Sequence, residues 1–262
     1  MRRGFRWMFV VVSIFASMMS TSASAHFQIL IPNFAFIDDS TGKVLTLDLR
    51  FSHPMAGGPL MNMAPPTRFG VMRRGTEIDL RESLQRTEED GKGVYRAQYT
   101  VAAPGDHVFF VEPAPYYEAG EETYIVHFTK VVVDAFDGGG GWNKPVGFPV
   151  EIMPLVRPYG LWTGNTFRGV VLHDGKPVPN ARVEVEYLND HEPKVKIPSS
   201  AFETQVILAN TNGEFAYTMP RAGWWGFAAL VDGPSEGLKS PDGKPADMEW
   251  GALMWVPVRD ME

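Results

Sequence analysis

The chain has 262 residues, enough for one or two domains of ordinary size. Its 44% hydrophobic and 21% charged residues exclude a disordered chain, and its lack of Cys excludes disulfides, thiolate metal sites and a cysteine nucleophile. A formal charge of −7 argues against a phosphate-gripping nucleic-acid binder, while 26 Gly and 21 Pro favour many turns between short strands.

The N-terminal segment reads as a targeting signal. Arg2, Arg3 and Arg6 precede an apolar run, Met8 to Met19, followed by Ala23-Ser24-Ala25. A basic region, an apolar region and a small-residue cleavage site predict a signal peptide over residues 1–25 and a periplasmic protein. The apolar run is shorter than the ~20 residues that span a bilayer. Cleavage removes three Arg and no acid, which takes the net charge from −7 to −10. It also makes His26 the first residue. Its free α-amine and imidazole Nδ1 then close a six-membered chelate on one metal ion. With pKa values of about 8 and about 6.5, both nitrogens give up their protons to a metal at neutral pH.

After the short apolar run Phe27–Pro32, residues Val44–His53 alternate cleanly. Leu45, Leu47, Leu49, Phe51 and His53 share one face, as in a half-buried strand. Further strands are expected at Thr67–Met72, Val94–Val101, His107–Glu112 and Thr123–Phe136, and a short helix around Ile78–Arg86. Residues 26–155 thus read as an immunoglobulin-like antiparallel β-sandwich. Gly138-Gly139-Gly140-Gly141 reads as a flexible loop tip, and Pro154, Pro158 and Gly160 mark a crossing at 154–162. Strands are expected again at Thr166–Leu172, Arg182–Leu188, Thr204–Ala209, Glu214–Thr218, Trp224–Val231 and Ala252–Val258. Asp174-Gly175 and Asn212-Gly213 are hairpin turns among them. Residues 156–262 form a second, smaller all-β domain in this reading.

The chemistry-bearing residues are chiefly the six histidines. No zincin, nucleophile-elbow or phosphate-loop motif is present. Acidic runs such as Glu121-Glu122 and Glu88-Glu89-Asp90 read as solvated turns. His53 ends its strand on the apolar face, so it is either a boundary imidazole or a ligand that completes the His26 chelate. The loop after it carries Met55, Met61 and Met63, which serve either packing or soft thioether ligation of Cu(I). His127 lies mid-strand with Ile125, Val131 and Val133 and reads as a core histidine or a third ligand. His107 and His173 are expected at the surface, and His191 in a polar loop. Tyr116-Tyr117 and Trp224-Trp225 read as packing, or as a platform for sugar.

Several blocks carry a family resemblance. They are His26-Phe27-Gln28-Ile29-Leu30-Ile31-Pro32, Phe51-Ser52-His53-Pro54 with Gly57-Gly58, Pro113–Glu118, His127–Val133, Arg157–Trp162 and the distinctive Pro220–Ala228. Over these the chain resembles the extracytoplasmic accessory component of bacterial nickel/cobalt uptake transporters of the energy-coupling-factor type. That family has long been labelled a domain of unknown function. The resemblance implies a protein without catalytic activity that captures Ni²⁺ or Co²⁺ and passes it to a membrane permease. It further implies His26, His53 and His127 as ligands. The second domain resembles the carboxypeptidase-regulatory β-sandwich through Gly169-Val170-Val171, Gly175–Ala181 and Thr211–Phe215.

Nitrogen donors do not single out a metal. They suit Ni²⁺, Co²⁺, Cu²⁺ and Zn²⁺, with Cu²⁺ tightest in an unconstrained site. A periplasmic copper carrier with an N-terminal histidine is therefore the main competing reading. A copper monooxygenase acting on polysaccharide and a sugar-binding sandwich with incidental histidines are the others.

Overall fold

The computed structural model describes residues 26–261, so the expected signal peptide over 1–25 lies outside the described residues. The first half contains β1 (Phe27–Pro32), β2 (Phe36–Ile37), β3 (Val44–Ser52), β4 (Leu60–Met61), β5 (Arg68–Arg73) and β6 (Thr76–Asp79). There follow β7 (Gln85–Glu89), β8 (Lys92–Thr100), β9 (Gly105–Glu112), β10 (Tyr116–Glu118) and β11 (Thr123–Ala135). The second half contains β12 (Val150–Pro154), β13 (Leu161–Trp162), β14 (Thr166–His173), β15 (Lys176–Pro177) and β16 (Arg182–Tyr187). One helical turn, Ser200–Glu203, precedes β17 (Gln205–Leu208), β18 (Glu214–Thr218), β19 (Gly223–Asp232) and β20 (Asp247–Arg259).

The protein is all-β, built as stacked sheets around two sandwich cores. A five-stranded sheet (β7-β8-β3-β1, with β4 on β3) forms one outer layer. A four-stranded sheet of β12, β14, β15 and β18 forms the other. Between them runs an 11-stranded sheet in the order β17-β16-β19-β20-β11-β9-β5-β6, with the short β2, β10 and β13 attached to it. That sheet crosses from the first half of the chain to the second where β11 and β20 pair in parallel, Thr123–Val131 against Asp247–Trp255. β12 ends at Pro154, before the 154–162 crossing is complete, and pairs with β14 of the second half.

The central strands of the shared sheet are buried on both faces, as their sequences require. On β11, Ile125, Val131 and Val133 enter the core beneath the five-stranded sheet. The intervening Val126, Phe128 and Val132 enter the core beneath the four-stranded sheet. On β20, Leu253 and Trp255 face the first core and Met254, Val256 and Val258 the second. Near-continuous apolar runs are the sequence form of such doubly covered strands.

One expected element is corrected. The helix around Ile78–Arg86 is instead the end of β6, a single 3₁₀ turn at Arg81–Ser83 and the start of β7. Asp79 accepts the Arg81 N–H and holds its guanidinium, which makes a tight turn between the edge strands rather than a helix. Within the tetraglycine, Gly138 lies against the Gly105 backbone, where a Cβ would come 2.2 Å from the Gly105 nitrogen, while Gly139 and Gly140 have open space around them.

Candidate metal centre

Strand register places His26 beside His53. β1 runs antiparallel to β3 with Phe27 opposite Ser52, so the residue before β1 and the residue after β3 meet at one sheet end. Their ring centroids are 4.4 Å apart. Phe51 stands next to both groups, its ring 5.7 Å from that of His26 and 6.0 Å, edge to face, from that of His127. Tyr116 closes the cluster, 5.2 Å from Phe51 and 6.3 Å from His26.

His127 comes from β11, on the face that looks toward the five-stranded sheet. It is 2% exposed. The β10–β11 hairpin, with Tyr116 opposite Ile125 and Glu118 opposite Thr123, carries Tyr116 and Glu118 to the same place. The parallel partner β20 sets Gly251 opposite His127 and Glu249 two residues earlier on the same face.

Each of two histidines is held through Nε2 by a carboxylate. His26 Nε2 lies 3.0 Å from Glu118 Oε2, and His127 Nε2 lies 3.5 Å from Glu249 Oε1. Such carboxylate–imidazole contacts orient a ring and favour an unprotonated Nδ1, the arrangement that metal-ligating histidines adopt. The Nδ1 atom of His127 is buried without a hydrogen-bond partner. Burial, reinforced by His53, pushes the His26 imidazole down to about 4, with Glu118 pulling the other way. The ring is therefore a neutral nitrogen donor at pH 7. Burial pushes the Glu249 carboxyl up, but the hydrogen bond and charge of His127, with the charges of His26 and Arg182, more than reverse it. Glu249 stays ionised.

The side chains as they stand do not form a closed ligand cage. Among the described residues, no three His, Asp or Glu side chains sit at ligating spacing. The α-amine that cleavage would create at His26 is a further donor outside that set.

The remaining candidates separate. His107 is fully buried rather than at the surface: it sits on β9 against Tyr99 and Phe109, with Nδ1 2.8 Å from the Gly105 carbonyl. The apolar flank of β9, both of whose faces are covered, carries it inward. His173 and His191 lie at the surface, beside Asp174 and Asp190. Met55, Met61 and Met63 are all buried and pack into the cores. Met63 also lines a small pocket of about 50 Å³ with His127, Phe51 and Tyr116, and its sulfur accepts the Gln28 amide at 3.8 Å.

The loop after His53 is held by the second half of the chain. Glu186 accepts the Met55 N–H at 3.0 Å, while the Asn189 amide donates to the Met55 carbonyl and its backbone N–H to that of Pro54. Sequence reading alone did not find Glu118, Glu249 or Gly251 as partners of the histidines. Glu118 lay within a block already singled out, but Glu249 and Gly251 have no local signal, because only the parallel β11–β20 pairing brings them there.

Residues 23–233 match a family described as Domain of unknown function (DUF4198). No curated protein matches the chain. Similar solved structures include the D0-D1 domain of Intimin, at 14% identity over 88% of this chain and 99% of that one, with a TM-score of 0.25. They also include latent PorU from Porphyromonas gingivalis, at 11% identity over 96% and 22% of the two chains, TM-score 0.26. The Yersinia pseudotuberculosis adhesin InvE is similar at 12% identity over 86% and 58%, TM-score 0.24. These likenesses are too distant to carry function.

Proposed function

The chain belongs to the DUF4198 family, and from its own residues we propose that it is a periplasmic protein that captures Ni²⁺ or Co²⁺ for delivery to a membrane uptake transporter. The observation that carries the reading is the contact of His26 with His53 at one sheet end, with Phe51 against both His26 and His127 and two of the rings oriented through Nε2 by Glu118 and Glu249. In this reading export trims the chain to His26. The new amine and Nδ1 of His26 grip the ion, and His53 and His127 complete its coordination after small side-chain rotations. A site at a chain terminus and a sheet end, where His26 keeps a tenth of its side chain exposed, suits an ion that must be released again. Nitrogen and carboxylate-backed donors fit Ni²⁺ and Co²⁺. No nucleophile or catalytic acid is needed.

A copper carrier is the second reading, and the Met63 thioether in the pocket beside His127 favours it. Competitive equilibrium dialysis of the processed protein against Ni²⁺, Co²⁺, Cu²⁺ and Zn²⁺, each buffered to its physiological availability, decides between them. Retention of Ni²⁺ or Co²⁺ that His53→Ala abolishes supports the first reading. Preferential copper retention, measured with ascorbate present to supply Cu(I), that is lost in Met63→Leu supports the second. Retention of none of the four ions overturns both.

A further inference from the structure

Strand β17 ends the 11-stranded sheet, and among the described residues only β16 pairs with it. Backbone groups on a strand alternate in direction. Ala209 donates its N–H to the Ala181 carbonyl, so Gln205, Ile207 and Ala209 turn their N–H and C=O toward β16. Val206 and Leu208 turn theirs outward, to the open side of the sheet. Their side chains are also in solvent, 46% and 70% exposed, and Phe202, just before the strand, is 55% exposed. Ile207, between them, packs against the core beneath the four-stranded sheet.

An open edge is a template for a further strand, and folded proteins block such edges with charged side chains or Pro. Two other outer strands of this fold are blocked in that way. Arg86, Glu88 and Glu89 stand exposed on β7, and Glu77 and Asp79 on β6. Residues 204–210 hold no charge and no Pro. Their edge keeps its donors and acceptors in place with nothing to repel a neighbour.

The edge is complementary to itself. A twofold axis at Ile207 sets Val206 of each copy opposite Leu208 of the other. Both residues point their backbone groups into the seam, so each such pair exchanges both of its N–H···O bonds, and the side chains meet as aliphatic cross-strand pairs. Ile207 meets its own copy, and Gln205 meets Ala209. Two copies of a chain with net charge −7 repel each other at long range. This register sets no charged residue against another, so it is a place where that repulsion is least.

We propose that the protein self-associates through β17, as a twofold dimer in which two 11-stranded sheets join into one. A standard interface engages about 20–30 residues a side, whereas this edge offers one short strand, so the dimer is weak, with a Kd on the order of 0.1 mM.

Sedimentation equilibrium of the processed protein, from about 10 μM to about 1 mM around that Kd, tests this. The average mass is expected to rise from monomer toward dimer across the range. Val206→Lys combined with Leu208→Lys sets like charges directly opposite each other, and that variant should stay monomeric throughout. Both side chains are exposed, so circular dichroism should show the variant folded. Amide exchange read by NMR locates the seam: Val206 and Leu208 should gain protection as concentration rises, and neither should do so in the double variant. A wild-type protein that stays monomeric at the top of the range leaves the edge to another protein's strand and overturns the proposal. A dimer that persists in the double variant, or that forms without protecting Val206 and Leu208, uses a different surface and overturns it equally.

Discussion

Gly251 faces His127 across the β11–β20 pairing, and a Cβ on Gly251 would lie 2.3 Å from His127 Cδ2 and 2.7 Å from its Nε2. The imidazole lies flat over a position where only glycine fits. Gly251→Ala must therefore push the ring off Glu249. Overpacking of this kind costs about 1–3 kcal/mol. A matching drop in Tm is expected, together with a loss of metal affinity of about tenfold or more, the scale seen when an oriented histidine loses its support. A calorimetric melt and a metal titration on the same sample check both.

The position of the first residue matters as much as its identity. One added Gly before His26 keeps every side chain but destroys the amine–Nδ1 chelate ring. Metal affinity should fall by about tenfold or more, with thermal stability of the metal-free protein unchanged. Equal affinity in the extended and authentic forms would remove the terminal amine from the ligand set.

Glu186 gives the fold a pH dependence of predictable sign. Burial pushes its carboxyl up to about 8, against the hydrogen bonds from Thr204 and Met55. The folded state therefore holds a proton that the unfolded chain releases near its ordinary value. Stability from this group is fully present below about pH 4.5, declines as pH rises through the interval, and is lost above about pH 8. Wild-type Tm should fall between pH 5 and pH 9 more steeply than that of Glu186→Gln. Parallel curves for the two proteins would contradict this.

Lys130 and Glu151 join the central sheet to the four-stranded one through a buried pair at 2.6 Å. Glu151 also accepts the Val146 and Gly147 N–H groups, so it stays in place if its partner goes. Burial pushes the Lys130 ammonium down, against the pull of Glu151. Lys130→Met leaves an uncompensated carboxylate and should destabilise the protein by about 3–5 kcal/mol in denaturant melts. His26 and His53 lie on the other side of the sheet, so metal affinity of the folded fraction should not change.

The sequence by itself determined the elements and their facing. Alternation from Leu45 to Phe51 and the doubly apolar runs around Val126 and Met254 depend only on local period, and each appears as a strand. The place of His53 at a strand end was legible for the same reason. The Ile78–Arg86 helix and the surface position of His107 were misread because neither turn chemistry at Asp79 nor double coverage of β9 shows in a local period. Tertiary structure alone decided that His26 meets His53, through the Phe27–Ser52 register, and that Glu249 and Gly251, more than 120 positions along the chain, support His127. Parallel pairing between the two halves leaves no trace in either strand's own pattern. It is set by which apolar faces are left to cover once each half has folded.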